Sequence, residues 1–295
     1  MKIEAYAKVN LTLDVYGTRP DGYHALRSVV MPISLADTLE IETTADGSIT
    51  SDTGYDDDLC VKAARVLRSQ ISNLKSQISD FGAQGSDFGA QVGVSIHVTK
   101  RIPAGGGLGG GSADAAAVLR ALNELWELEL PLPELAEIGA QVGSDVPALV
   151  LGGAVLMEGR GERVQDLRLK TGDLNLVLVN PGVHSSTREV YAACRAREKD
   201  ASSPTDAMVA ALKAGDFAQI VAATSNDLQA PAVKLHPEIA DALTSLRTAG
   251  ATGVTMSGSG SCVFGFAPDS ATAERISADL NFRGLQSWPV TTRLS

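Results

Sequence analysis

Residues 103–123, PAGGGLGGGSADAAAVLRALN, carry the plainest chemistry of the chain: six glycines between an alternating, extended segment and an Ala-rich helical pattern. A helix start leaves several backbone N–H groups unpaired and carries partial positive charge, so it attracts anions, phosphate oxygens above all. Gly105, Gly106, Gly107, Gly109, Gly110 and Gly111 lack a Cβ, which lets a loop take positive φ and press its amides onto a phosphate. Ser112 suits the N-cap, Asp114 falls in the first turn, and Val118, Leu119, Leu122, Leu125 and Trp126 mark the buried helix face. A plain glycine hinge is the structural alternative, although hinges seldom open directly into a capped helix former.

The loop is not a Walker A loop, because the closing Gly-Lys-Ser/Thr is missing. Gly105, Gly107 and Gly110 do satisfy the dinucleotide pattern G-x-G-x-x-G. That reading needs a second strand ending in an acidic residue, and the chain instead continues through Leu130-Pro131-Leu132-Pro133 into another helix.

Three other groups have chemical potential. Residues 3–15 alternate apolar and polar, which predicts a half-buried strand with Lys8, Asn10 and Thr12 on one face, about 7 Å apart from one to the next. That face reads either as solvated surface or as a site, and Asn is unusual within a strand. Asp145 precedes Val146-Pro147 and reads either as a helix N-cap or as a functional carboxylate. Residues 255–261, TMSGSGS, form a second Gly/Ser loop, either a generic turn or a further source of amides for a ligand.

The elements that position these groups follow from the pattern. A turn at Arg19-Pro20-Asp21-Gly22 presents Tyr23 and His24 before the apolar run 29–35. A helix is predicted over 60–67, a strand through Val94, Ile96 and Val98, a helix over 132–142, a strand over 174–179, helices through most of 187–249 and a strand over 262–266. Ser-Gln-Ile-Ser at 69–72 recurs at 76–79, and Ser-Asp-Phe-Gly-Ala-Gln at 79–84 recurs at 86–91, so residues 69–91 read as a low-complexity surface insertion without chemistry or a buried face. Two domains are expected, 1–160 and 161–295, with the boundary at the turns of 158–161.

Composition bounds the function. The chain has 295 residues, 44% of them hydrophobic and 20% charged, as in an ordinary globular protein. A net charge of −10 disfavours nucleic acid and membrane surfaces and favours a small-molecule partner. Three separated cysteines and four histidines form no metal-binding spacing, and with no signal sequence or membrane span in view the expectation is cytoplasmic.

The strand with Lys8, the loop PAGGGLGGGSADAA and the loop MSGSGSCVFG together resemble the GHMP kinase superfamily. Within it, AYAKVNLTLDVYGTRPDGYHALRSVV, GSDVPALVLGGAVLMEGRGE and NPGVHSSTREVY are similar to the branch that phosphorylates a methylerythritol carrying a cytidine diphosphate, in non-mevalonate isoprenoid synthesis. The resemblance implies an α+β, two-domain GHMP kinase fold: an N-terminal α/β domain, like that of a ribosomal protein, with a left-handed β-α-β unit, and a ferredoxin-like C-terminal domain. It implies ATP as co-substrate and Mg²⁺. Lys8 and Asp145 would be catalytic, Asp145 as general base. Lys100 would sit near the adenine, with Pro103, Ala104, Gly105, Gly106, Gly107, Leu108, Gly109, Gly110, Gly111, Ser112 and Ala113 around the ATP. Asn10, Tyr23, His24, Thr187, Tyr191, Ser257, Gly258, Ser259 and Gly260 would serve the substrate, Tyr23 and Tyr191 sandwiching the cytosine. Ser112 is a candidate Mg²⁺ ligand through its hydroxyl. One departure stands out: Asp58 occupies a position that is usually Asn in the family, near the adenine pocket. A homoserine or mevalonate kinase, or a non-catalytic nucleotide sensor, are the competing readings; the Tyr23-His24 turn argues against the first, the joint presence of Lys8 and Asp145 against the second.

Overall fold

A computed structural model describes residues 1–20, 22–77, 93–169, 172–197 and 203–293. Its strands in chain order are β1 (Lys2–Asn10), β2 (Thr12–Thr18), β3 (His24–Thr44), β4 (Ile49–Ser51), β5 (Gly93–Thr99), β6 (Val155–Gly159), β7 (Arg163–Asp166), β8 (Asn175–Asn180), β9 (Ser225–Asn226), β10 (Thr252–Met256), β11 (Val263–Ala267) and β12 (Gln286–Thr291). The helices are α1 (Leu59–Gln77), α2 (Gly110–Leu125), α3 (Leu132–Gly139), α4 (Val146–Leu151) and α5 (Thr187–Ala193), then α6 (Pro204–Ala214), α7 (Phe217–Ala223), α8 (Gln229–Leu235), α9 (Glu238–Thr248) and α10 (Ser270–Phe282).

Two compact units interleave in sequence. Unit 1 comprises Met1–Tyr6, Ala36–Arg101 and Gly110–Leu151; unit 2 comprises Ala7–Leu35, Ile102–Gly109 and Gly152–Ser295. The cut at 160/161 expected from the sequence falls in the turn of the hairpin β6–β7, where Glu158 pairs with Arg163.

In unit 1, β5 pairs antiparallel with the later half of β3, Thr38 opposite Thr99, and parallel with β4, Ile49 opposite Val94. β4, α1 and β5 therefore form a β-α-β connection. The small buried side chains of α2, among them Ala115, Ala116 and Ala117, allow α1 to approach closely with Ala63, Ala64 and Leu67. α1 runs well beyond the predicted 60–67. Residues 69–77 of the expected surface insertion are its last turns and bury Ile71, so this part has the apolar face that the insertion reading denied it. Residues 78–91 lie outside the described residues.

Unit 2 contains two sheets. The first half of β3 pairs with β2 and β6, and β9 adds parallel to β2. The other sheet is antiparallel throughout, in the order β10-β11-β8-β12. With α9 between β8 and β10 and α10 between β11 and β12, this is the β-α-β-β-α-β order of a ferredoxin-like domain. Its core is mainly aliphatic and includes two aromatics, Phe264 and Phe266, which meet edge to face at 5.9 Å, with the exposed Phe217 packing on Phe266 at 6.0 Å.

Candidate active site

The polar face of the first strand is not solvated. Lys8, Asn10 and Thr12 are 3%, 2% and 0% exposed, so the alternation marks a strand covered on both sides, with a break at Leu11 dividing it into β1 and β2. Burial of such groups is tolerable only when each finds a partner. Lys8 Nζ donates to Asn10 Oδ1 at 2.7 Å, Asn10 Nδ2 donates to Ser28 Oγ at 2.8 Å, and Ser28 Oγ donates to the Thr12 carbonyl at 2.6 Å. The Thr12 hydroxyl meets that of Thr205 at 2.8 Å. Ser28 and Thr205 carried no signal in the sequence, because their roles depend on which residues lie opposite β1 and β2.

Residues 102–109 of the glycine loop are drawn into unit 2 by their carbonyls. Gly106 O accepts from the Cys262 amide at 3.0 Å, Gly107 O from Ser257 Oγ at 3.0 Å, and Leu108 O from the Lys8 amide at 2.9 Å. In a trans peptide the C=O and the following N–H point opposite ways, so the amides of Gly107, Leu108 and Gly109 turn outward, as a phosphate cradle requires. Gly107 is obligatory: its φ is +71°, and a Cβ would lie 3.0 Å from both N and O of Gly260. The predicted N-cap at Ser112 is not observed. Gly109, at φ +69°, is the last left-handed residue, so α2 begins at Gly110 and Ser112 lies inside its first turn.

The second Gly/Ser loop closes on this arrangement. Ser257 N bonds Cys262 O and Gly260 N bonds Ser257 O, both at 2.9 Å, while Asn226 Nδ2 holds the carbonyls of Met256 and Gly258 at 2.7 and 2.8 Å. A Cβ on Gly258, whose φ is +56°, would lie 3.2 Å from Lys8 Nζ and 3.4 Å from Asn10 Oδ1. Ser259 Oγ pairs with Thr187 Oγ1 at 2.8 Å. Lys8, Asn10, Gly107, Leu108, Thr187 and residues 257–260 thus converge within unit 2, from segments far apart in sequence. Asn226, which organises the second loop, was not evident from the sequence, where it stands among ordinary helical residues.

The aromatic residues pair in a manner that the sequence did not specify. His24 stacks on Tyr191 at 5.7 Å and 28°, and the Arg160 guanidinium lies 5.4 Å from the ring centre of Tyr23, whose exposure is 55%. His24 Nδ1 is 3.3 Å from the Tyr16 carbonyl; since a carbonyl only accepts, Nδ1 donates and Nε2 is left as an acceptor.

Six sequence-predicted residues belong to unit 1: Lys100, Gly110, Gly111, Ser112, Ala113 and Asp145. Asp145 immediately precedes α4, and its carbonyl accepts from the Leu149 amide at 3.3 Å, the backbone position of an N-cap. Lys100 Nζ lies between Asp37 Oδ2 at 2.5 Å and Asp114 Oδ2 at 2.6 Å. Burial opposes the Lys100 charge, yet the bonds to Asp114 and Asp37 prevail and hold its ammonium above the ordinary lysine range. Ser112 is half-buried in α2. The unusual Asp58 is the N-cap of α1: Oδ1 accepts from the Cys60 and Val61 amides at 2.7 and 3.4 Å, and Oδ2 accepts from Thr53 Oγ1 at 2.7 Å. Partial burial works against its ionisation, but hydrogen bonds from Thr53, Ser51, Cys60 and Val61 bring the carboxyl below the ordinary range. Among the described residues no group of three or more His, Cys, Asp or Glu is arranged to hold a metal ion, and no helix is long and apolar enough to cross a membrane.

Known proteins resemble the chain over most of its length. Residues 58–153 match the GHMP kinases N terminal domain, and residues 208–285 match the GHMP kinases C terminal domain. A 4-diphosphocytidyl-2-C-methyl-D-erythritol kinase of Pelotomaculum thermopropionicum is 42% identical over 280 residues, covering 93% of this chain and 91% of that protein. A crystal structure of a 4-(cytidine 5'-diphospho)-2C-methyl-D-erythritol kinase superposes with a TM-score of 0.79 at 35% identity, covering 99% of both chains. A homoserine kinase from Cytophaga hutchinsonii, at TM-score 0.73 and 20% identity over 100% of this chain and 94% of its own, shares the fold. The chain belongs to the GHMP kinases and, within them, to the family of 4-diphosphocytidyl-2-C-methyl-D-erythritol kinases.

Proposed function

We propose that the chain transfers the γ-phosphoryl group of ATP to the 2-hydroxyl of 4-diphosphocytidyl-2-C-methyl-D-erythritol, giving the 2-phosphate and ADP, a step of non-mevalonate isoprenoid synthesis. The observation that carries this reading is the convergence of Lys8 with the two Gly/Ser loops, Gly258 being so close that a Cβ there would sit 3.2 Å from Lys8 Nζ. Phosphoryl transfer asks for little covalent chemistry from a protein. It asks for positioned donors and positive charge around the transferred group, and for a base near the acceptor hydroxyl.

The parts take these roles in the proposal. The outward amides of Gly107, Leu108 and Gly109, continued by the start of α2, cradle the ATP phosphates. The Lys8 ammonium, oriented by Asn10, stabilises charge on the phosphoryl group in transit, and Asp145 takes the proton of the acceptor hydroxyl. Thr187 and residues 257–260 line the acceptor side. Tyr23 and Tyr191 offer stacking faces to cytosine, and His24 Nε2 accepts from the amino group on the edge of the base. Mg²⁺ would be held mainly by the triphosphate and water, with the Ser112 hydroxyl as its protein ligand, and would neutralise phosphate charge.

The test is ADP release in the presence of ATP and, separately, the cytidyl substrate, homoserine and mevalonate. Turnover with the cytidyl substrate alone is expected. Comparable turnover with homoserine or mevalonate, and none with the cytidyl compound, assigns the chain to another GHMP kinase activity.

A further inference from the structure

The glycine loop is held at its base by charge. Lys100, in the residue pair preceding the loop, bonds Asp37 Oδ2 at 2.5 Å and Asp114 Oδ2 at 2.6 Å, while the Arg101 amide donates to Asp37 Oδ1 at 2.5 Å. Asp37 lies on β3 and Asp114 in α2, so one ammonium joins a core strand, the chain entering the loop and the helix leaving it. The two carboxylate side chains are 0% and 3% exposed. All four residues belong to unit 1. Asp114 Oδ1 is buried with no hydrogen-bond partner among the described residues.

Charge-assisted bonds this short, shielded from water, define geometry strongly, and removing one member strands a buried charge. We infer that Lys100, Asp37 and Asp114 form a clamp that fixes the two ends of the glycine loop, which makes Lys100 a positioning residue for the ATP phosphates and not a ligand of the adenine. The inference rests on the reading of the loop as a phosphate cradle. Fixing both ends before ATP arrives removes an ordering cost that a slack loop would meet on binding.

The clamp also has a charge balance. One ammonium faces two carboxylates, so with both ionised the clamp is a net anion beneath a site for a polyanion. The groups around Asp114 are Asp37 on β3, Lys100 after β5, and Asp58 and Cys60 at the start of α1. Burial raises the Cys60 thiol far above its ordinary range, so it stays neutral. Burial also lifts Asp114, to about 7, against the pull of Lys100.

The experiment measures KM for ATP, for GTP and for the cytidyl acceptor in wild type, Lys100→Met, Lys100→Arg, Asp114→Asn and Gly107→Val. Lys100→Met is expected to raise KM for ATP and GTP by the same factor, about tenfold, leaving the acceptor KM in place, with Lys100→Arg restoring most of the loss. Asp114→Asn, which exchanges a charge-assisted bond from Lys100 for a neutral one, is expected to raise both nucleotide KM values alike, by about threefold. Should Lys100→Met fail to fold, Asp114→Asn carries the test, because its amide oxygen still accepts from Lys100. A Lys100→Met effect seen with ATP and absent with GTP makes Lys100 a base ligand and overturns the clamp. If KM for ATP moves in Gly107→Val and in neither clamp variant, the clamp alone fails. If Gly107→Val leaves it unmoved too, the phosphate-cradle reading falls with it.

Discussion

Lys8 Nζ donates to Asn10 Oδ1 at 2.7 Å, two residues along the same strand, with both side chains buried. Side chains at i and i+2 share one face of a strand, and here that face is turned inward. The amide of Asn10 is oriented from behind by Ser28, so its oxygen, not its NH₂, meets the ammonium.

Ser28→Ala leaves Asn10 Nδ2 without this acceptor in a buried setting. A stability loss of about 1–3 kcal/mol is expected from urea unfolding. Since the amide is then free to turn away from Lys8, kcat should fall by about tenfold, and Ser28→Thr, which keeps the hydroxyl, should recover it. Wild-type kcat in Ser28→Ala would show that Asn10 needs no support.

Asp58 is the N-cap of α1, and Asp58→Ala should cost about 1 kcal/mol at neutral pH. Its folded carboxyl lies below the ordinary range, so the folded state favours the ionised form. That stabilisation is present above the unfolded carboxyl value of about 4 and is lost as pH falls through the lower folded value. Wild type and Asp58→Asn should therefore differ in thermal midpoint at pH 7 and approach each other below about pH 4. A difference that is constant with pH would detach the cap from the ionisation.

Tyr23 is 55% exposed with Arg160 against its ring, and in the proposed function it offers a stacking face to cytosine. Tyr23→Ala should weaken the cytidyl substrate by about 1–3 kcal/mol while the KM for ATP stays in place. Equal losses for both substrates would remove Tyr23 from base recognition.

Much of this site was legible in the sequence. The glycines of 105–111 and the Gly/Ser loop at 257–260 stood out, because positive φ and close backbone approach demand particular residues locally. What escaped were relations set by tertiary packing. Period-2 alternation cannot distinguish a strand covered on one side from one covered on both, so by that segment alone Lys8, Asn10 and Thr12 read first as a wet surface. Ser28, Asn226, Asp37 and Arg160 act on partners between 16 and 137 residues away, as with Ser28 on the Thr12 carbonyl at one end and Arg160 on Tyr23 at the other, distances over which pattern carries no information. Ser112 was a sound N-cap candidate by residue type, but Gly109 ends the left-handed turn early and the helix starts before it. The low-complexity repeats that begin at Ser69 disguised the last turns of a helix that runs to Gln77, since repetition says nothing about the face that holds Ile71.

Asp145→Asn tests the phosphoryl-transfer account most directly. The substitution keeps the shape and the capping ability of the residue that precedes α4, since Asn caps a helix as well as Asp does, and it removes the base. With fold and binding of both substrates retained, kcat should fall by about 10² to 10⁴. A near-normal kcat in the folded variant would contradict the account and leave Asp145 as a helix cap.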